Sequence, residues 1–150
     1  MTTGEMPSVL IGHAQSDHVR ITILGRLHSA SDYWDGNWLV SPIEIRAGGF
    51  SGELQAGIRA EELLAFRSAL EHVAESPEGS ATFESMEEWL SMRVVLNEQG
   101  DLAISCLARD NGGIGNELRF SIDGLDQSSL PAIIDELSAI NAAFPVIGTP

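Results

Sequence analysis

The chain has 150 residues, 43% of them hydrophobic, and 22 acidic against 8 basic side chains give it a formal charge of −14. All eight basic residues are arginine. That length fits one domain, 1–150, whose core can bury roughly 70% of the unfolded surface without a disulfide or a metal. The charge excludes a basic-patch binder of nucleic acid or of an anionic membrane, and the ordinary apolar fraction excludes a disordered chain.

Residues 1–7 read as a loose terminus with no basic and apolar segments of the signal-peptide kind. Val9–Ile11 is a possible extra strand. Val19, Ile21 and Ile23 alternate with Arg20, Thr22, Leu24 and Arg26, the period of a half-buried strand. Ser29 to Asn37 reads as a polar, aromatic-bearing loop, and Trp38 begins a strand. Ile43, Ile45 and Ala47 alternate with Glu44 and Arg46; Pro42 cannot donate to a ladder, so this strand is an edge, is bulged, or begins there. After the Gly48-Gly49 turn, the run Phe50 to Arg59 alternates throughout and predicts one long strand of a hairpin.

The period changes over 61–75, where Leu63, Phe66, Leu70 and Val73 form one helical stripe and Glu61 and Glu62 favour the helix N-terminus. Ser76-Pro-Glu-Gly ends it. Ala81–Phe83 is a short strand. Leu90–Leu96 and Leu102–Ala108 flank the turn Asn97–Asp101, and Leu118–Ile122 follows the glycine-dense Asp110–Asn116 connection. A second helix spans 129–143, with Leu130, Ile133, Ile134, Leu137 and Ile140 on one face, Ser128 or Ser129 as cap and Pro131 in the first turn. The expected fold is α+β and two-layered: an antiparallel meander of about six to eight strands, two helices on one face and the other face open to water. No internal repeat or domain linker is evident.

Most familiar chemistry is missing. Cys106, the one cysteine, shares the buried register of Leu102 and Ile104 and reads as a small core thiol. The histidines at 13, 18, 28 and 72 have no metal spacing and read as surface residues. No Gly-x-Ser-x-Gly elbow is present. Gly112-Gly-Ile-Gly precedes a strand and has no lysine, which makes it a hairpin connection and not a phosphate loop. Glu84, Glu87 and Glu88 cluster beside Trp89, without a catalytic neighbour to make them an acid–base pair. The reading is a non-enzyme without cofactor or metal. It is expected to be cytoplasmic, since no apolar run approaches the ~18 residues of a membrane span.

The strand registers also predict where the charge sits. Arg20, Arg26, Arg46, Arg59, Arg93, Arg109 and Arg119 all fall on polar registers, which would gather them on the open sheet face with Glu44, Glu53, Glu117 and Asp123. Helices and loops would then carry a nearly unbroken negative field, suited either to solubility or to steering toward a cationic protein.

Two segments carry a resemblance. The run Asp32-Tyr-Trp-Asp-Gly-Asn-Trp-Leu, with the Ile43/Ile45 strand and Phe50-Ser-Gly after it, resembles the WapI-type bacterial immunity protein family. So do Asp110–Asn116, Leu118-Arg-Phe, Asp126-Gln-Ser-Ser-Leu-Pro and Phe144-Pro-Val, so that the resemblance covers about residues 17–148. It implies a protein that binds and neutralises a contact-delivered toxin domain, in some cases a nuclease, with no cofactor. Candidate partner-binding residues are Asp32, Tyr33, Trp34, Asp35 and Asn37 in the motif, Glu84, Glu87 and Glu88, and Asp110 and Asn111. Aromatics ringed by acids suit a basic surface; the plainer reading of the motif is a capped turn, with Asp35-Gly36-Asn37 supplying the turn chemistry and Trp34 packed beneath the sheet edge. The alternative function is a self-associating scaffold or small-ligand domain, and both a monomer and a homodimer are compatible with the chain.

Overall fold

The computed structural model describes residues 6–76 and 79–150; the expected loose terminus lies outside them for residues 1–5, as do Pro77 and Glu78 of the helix-ending turn. The strands are β1 (Ser8–Gly12), β2 (His18–Thr22), β3 (Gly25–Arg26), β4 (Trp38–Val40), β5 (Ile43–Ala47), β6 (Phe50–Leu54), β7 (Gly57–Arg59), β8 (Ser80–Glu84), β9 (Leu90–Leu96), β10 (Leu102–Asn111) and β11 (Ile114–Ile122). The helices are α1 (Tyr33–Gly36), α2 (Ala60–Glu75) and α3 (Leu130–Ala143), the last preceded by a 3-10 turn at Gln127–Ser129.

The α+β class holds, but the single meander is replaced by three small antiparallel sheets, ordered β1-β2-β5-β6, β11-β10-β9-β8 and β3-β4-β7. The third is a bent continuation of the first. Two strands expected to be continuous, Val19–Arg26 and Phe50–Arg59, break between Thr22 and Gly25 and at Gln55-Ala56, at nearly the same level as the Ser41-Pro42 step from β4 to β5, and the pieces then pair again in the same order. Bridging bonds cross the bend: the Thr22 amide donates to the Pro42 carbonyl at 3.1 Å, Leu24 to Val40 at 2.9 Å and Ser41 to Ala56 at 2.9 Å. Pro42 has no amide to give and stands at the corner, so β5 begins there. A two-residue period carries no record of such a corner, because the alternation resumes beyond it.

Each four-stranded meander is followed by a long helix, so the two halves share one ββββα plan, with the bent sheet inserted in the first. That repeat is architectural and leaves no trace as sequence identity. Helix α2 packs on α3 and against β8, and α3 packs against β1. The apolar stripe of α2 (Leu63, Phe66, Leu70, Val73) joins Leu130, Ile133, Leu137 and Ile140 of α3 and the inward positions of both large sheets in one core. Full burial of each large apolar side chain is worth about 1.5–3 kcal/mol. The cap of α3 differs from expectation. Asp126 accepts the Ser128 amide at 2.9 Å and so caps the 3-10 turn that leads into the helix.

The arginines are less gathered than their registers suggest. Arg46, Arg93 and Arg119 are exposed, and Arg20 and Arg109 are half-buried, but they divide between the outer faces of two sheets. Arg26 and Arg59 lie in the bent sheet and turn inward, Arg59 to 1% exposure. His18, expected on the surface, is also buried, its ring nitrogens facing the carbonyls of His13 and Ser16 and the Glu44 carboxylate at 2.7 Å.

Cys106 is buried on β10, and burial pushes its thiol up to about 12. Thiolate is the reactive form. Iodoacetamide at neutral pH should therefore leave Cys106 unmodified in the folded protein and alkylate it at the rate of global unfolding in urea; fast alkylation without denaturant would contradict this placement.

Candidate functional site

The motif Asp32–Trp38 folds as one turn of helix running into β4. Asp32 caps α1, its carboxylate accepting the Asp35 amide at 3.2 Å. Gly36 is buried, and a Cβ there would collide with the Ile147 side chain and lie 2.7 Å from the Ala30 carbonyl, so only glycine admits this approach. Asn37 is wholly buried and joins distant parts of the chain. Its amide donates to the carbonyls of Tyr33 and Ile147, both at 2.9 Å, and its oxygen accepts the Ile147 amide at 2.9 Å. Arg26 adds bonds to the Gly36 carbonyl at 2.8 Å and the Pro145 carbonyl at 2.6 Å.

Arg59 stands at the centre of this assembly. The bend at Gln55-Ala56 carries β7 beside β4, where the polar register no longer faces water. The guanidinium donates to the carbonyls of Trp34 and Tyr33, each at 2.8 Å, and to the Glu61 carboxylate. Its carbon lies 4.9 Å from the Trp38 ring centroid, 5.2 Å from that of Tyr33 and 5.5 Å from that of Trp34, all within cation–π range. Tyr33 and Trp34 meet edge to face at 4.9 Å. Trp34 keeps 56% of its surface exposed, so its ring is anchored on one side and presented on the other.

The Glu84–Trp89 turn is tied to the same core. Glu62 accepts the Arg59 amide at 2.8 Å, closing the start of α2, and the Met86 amide at 2.6 Å, which fixes the turn. Glu88 holds a positive φ of 60°. The turn packs against the β10–β11 hairpin, where a Cβ on Gly112 would lie 2.8 Å from the Glu87 carbonyl and one on Gly113 would lie 3.1 Å from the Glu88 carboxylate. Asp110 holds that hairpin in shape, accepting the backbone amide of Asn116 at 2.8 Å and its side-chain amide at 2.7 Å.

The structure thus brings the three groups of candidate residues to adjoining positions, linked through Arg59, Glu62 and the glycines of the hairpin. Asp32, Trp34, Asp35, Glu84, Glu87, Glu88, Asp110 and Asn111 are exposed and Tyr33 half-exposed. Asn37 cannot touch a partner from its buried position; it belongs to the scaffold. Met86, at 58% exposure, joins Trp34 as an apolar element of the surface. Sequence patterns point to neither Met86 nor Arg59, since Met86 lies in no periodic segment and Arg59 sits in an apparently solvated register. Among the described residues no group of three or more His, Cys, Asp or Glu side chains could hold a metal ion, and no helix is long and apolar enough to cross a membrane.

Burial is the main cause that raises the Glu62 carboxyl above its ordinary value of 4.5; the Arg59 and Met86 amides oppose it and neighbouring Glu61 adds to it. The folded state thus binds this proton more readily than the unfolded state. The contribution of Glu62 to stability is greatest below pH 4.5 and declines as pH rises through its folded value. Asp110 has the opposite sign. Its bonds from Asn116 lower its carboxyl, so its contribution is present above 3.8 and lost as pH falls through its folded value. A carboxyl-carbon NMR titration should place the Glu62 midpoint above 4.5 and that of Asp110 below 3.8; a Glu62 midpoint at or below 4.5 would contradict the burial.

The family described as the immunity protein WapI-like family matches residues 10–145, and the chain belongs to that family. No curated protein matches the chain. A chain from the crystal structures of Trypanosoma bruciei MRP1/MRP2 is similar to it in outline, at 12% identity and a TM-score of 0.44, covering 94% of this chain and 89% of that one.

Proposed function

We propose that this WapI-like immunity protein neutralises a basic toxin domain by binding it, without catalysis or a cofactor, through the surface formed by α1, the Glu84–Trp89 turn and the adjoining hairpin. The observation that carries the reading is an exposed aromatic held rigid from beneath. Trp34 has one face on Arg59 and the other in solvent, with Met86 on the neighbouring turn and Asp32, Asp35, Glu87 and Glu88 on the same elements. Preorganised aromatics lose little conformational entropy on binding and dominate interface energetics. The acids around them, in a chain of net charge −14, favour a cationic partner and accelerate encounter with it. A toxin acting on nucleic acid would carry such a surface, because its own substrate is anionic.

The test is co-expression with the toxic domain encoded beside this chain. Rescue of growth and a stable complex are expected, with an association rate that falls steeply as salt rises. Trp34→Ala should weaken binding about 30-fold or more, the effect of losing a central aromatic anchor. Glu87→Lys and Glu88→Lys should act mainly on the association rate. Neither rescue nor complex formation, or full affinity in Trp34→Ala, would overturn the reading.

A further inference from the structure

Edge strands with unpaired backbone groups are normally blocked, and β1 shows how: its Leu10 amide is taken by Glu136 of α3 at 2.9 Å. Strand β11 touches β5, but among the described residues no side chain takes an amide on its outer edge. It ends its sheet, with β10 as its one sheet neighbour among the described residues, and from Ile114 to Glu117 it is exposed. The pairing settles which backbone groups are free. The Arg109 amide donates to the Trp89 carbonyl, so odd-numbered residues of β10 bond toward β9 and even-numbered ones toward β11. Leu118, Phe120 and Ile122 oppose Ala108, Cys106 and Ile104 and are bonded to β10. Glu117, Arg119 and Ser121 therefore direct their amides and carbonyls outward.

That edge is self-complementary. Leu118 is flanked by Glu117 and Arg119, whose side chains share the outer face of the sheet. An antiparallel two-fold pairing centred on Leu118 sets Glu117 of each copy against Arg119 of the other, and Leu118 against Leu118. A centre at Arg119 would instead oppose like charges. Glu117 already accepts from Arg109 at 2.9 Å, so the pairing would place each carboxylate between two guanidinium groups, while Arg119 makes no ion pair within the chain among the described residues. We propose that two copies of this chain pair along β11 in this register, joining their four-stranded sheets edge to edge. The outward bonds of Glu117 and Arg119 supply about four intermolecular backbone hydrogen bonds. The bulge between Arg109 and Asn111 limits regular pairing at the hairpin end, so the dimer is a reversible one. At about 0.15 M salt the Debye length is ~8 Å, and local pairing outweighs the net charge of the two copies.

The test is sedimentation equilibrium of the full chain at about 0.15 M salt, from about 10 µM to about 1 mM. The native protein should move from 16.1 kDa toward twice that mass. Glu117→Arg and Arg119→Glu should each remain monomeric. Mixed in equal amounts, the two variants should dimerise, since every cross-strand pair then again sets an arginine against a glutamate. The double variant, with the two charges exchanged, should dimerise by itself. Circular dichroism confirms that each variant is folded, and the mixture guards against loss of dimer through misfolding. The proposal is overturned if the native chain stays monomeric throughout, if it dimerises equally well with either single change, or if the mixture fails to associate.

Discussion

A charged side chain in a protein interior is stable only when the protein replaces its lost hydration. Arg59 meets that condition with two backbone carbonyls, one carboxylate and three aromatic faces, at 1% exposure. No single element could supply this set. The carbonyls and two of the rings come from α1, the third ring from β4 and the carboxylate from the first turn of α2. Satisfying the guanidinium therefore requires α1, the bent sheet and the start of α2 to be in place together. The planar fork of arginine suits two carbonyls at once, which the point charge of lysine would not.

The surface proposed for partner binding depends on that arrangement. Trp34 is exposed but not free, and Met86 is held through Glu62, which also closes the first turn of α2. Asn37 and Arg26 pin the same turn of chain to Pro145 and Ile147, more than a hundred residues away. The Tyr-Trp-Asp-Gly-Asn-Trp run thus divides its work. Gly36 and Asn37 build the scaffold, Tyr33 and Trp38 enclose the arginine, and Asp32, Trp34 and Asp35 face solvent. Fold and interface are two faces of one motif.

Much of this is legible in the sequence, and the misses at the candidate site share a cause. Periodicity locates α2 and α3 to within about a residue, and it identifies β5, β9 and β10 and the inward register of Cys106, because each is amphipathic along its whole length. It fails where strands turn a corner. Val19–Arg26 and Phe50–Arg59 keep their alternation across the bend, so the pattern predicts one strand where two sheets meet, and it puts Arg59 on a face that no longer exists beyond Ala56. The candidate residues come from three separate segments. That they adjoin is a consequence of tertiary contacts at Gly112, Gly113 and Glu62, which no local pattern encodes.

Arg59 organises α1 and its attachment to the chain around Ile147. Arg59→Lys keeps the charge and the backbone but cannot reproduce the forked bonds to Tyr33 and Trp34. Urea denaturation combined with amide hydrogen exchange would measure the consequence. A loss of about 2–3 kcal/mol is expected, with protection lost first at the Gly36 and Ile147 amides and retained in β9 and β10. A lysine variant with native stability and unchanged protection at those two amides would contradict it.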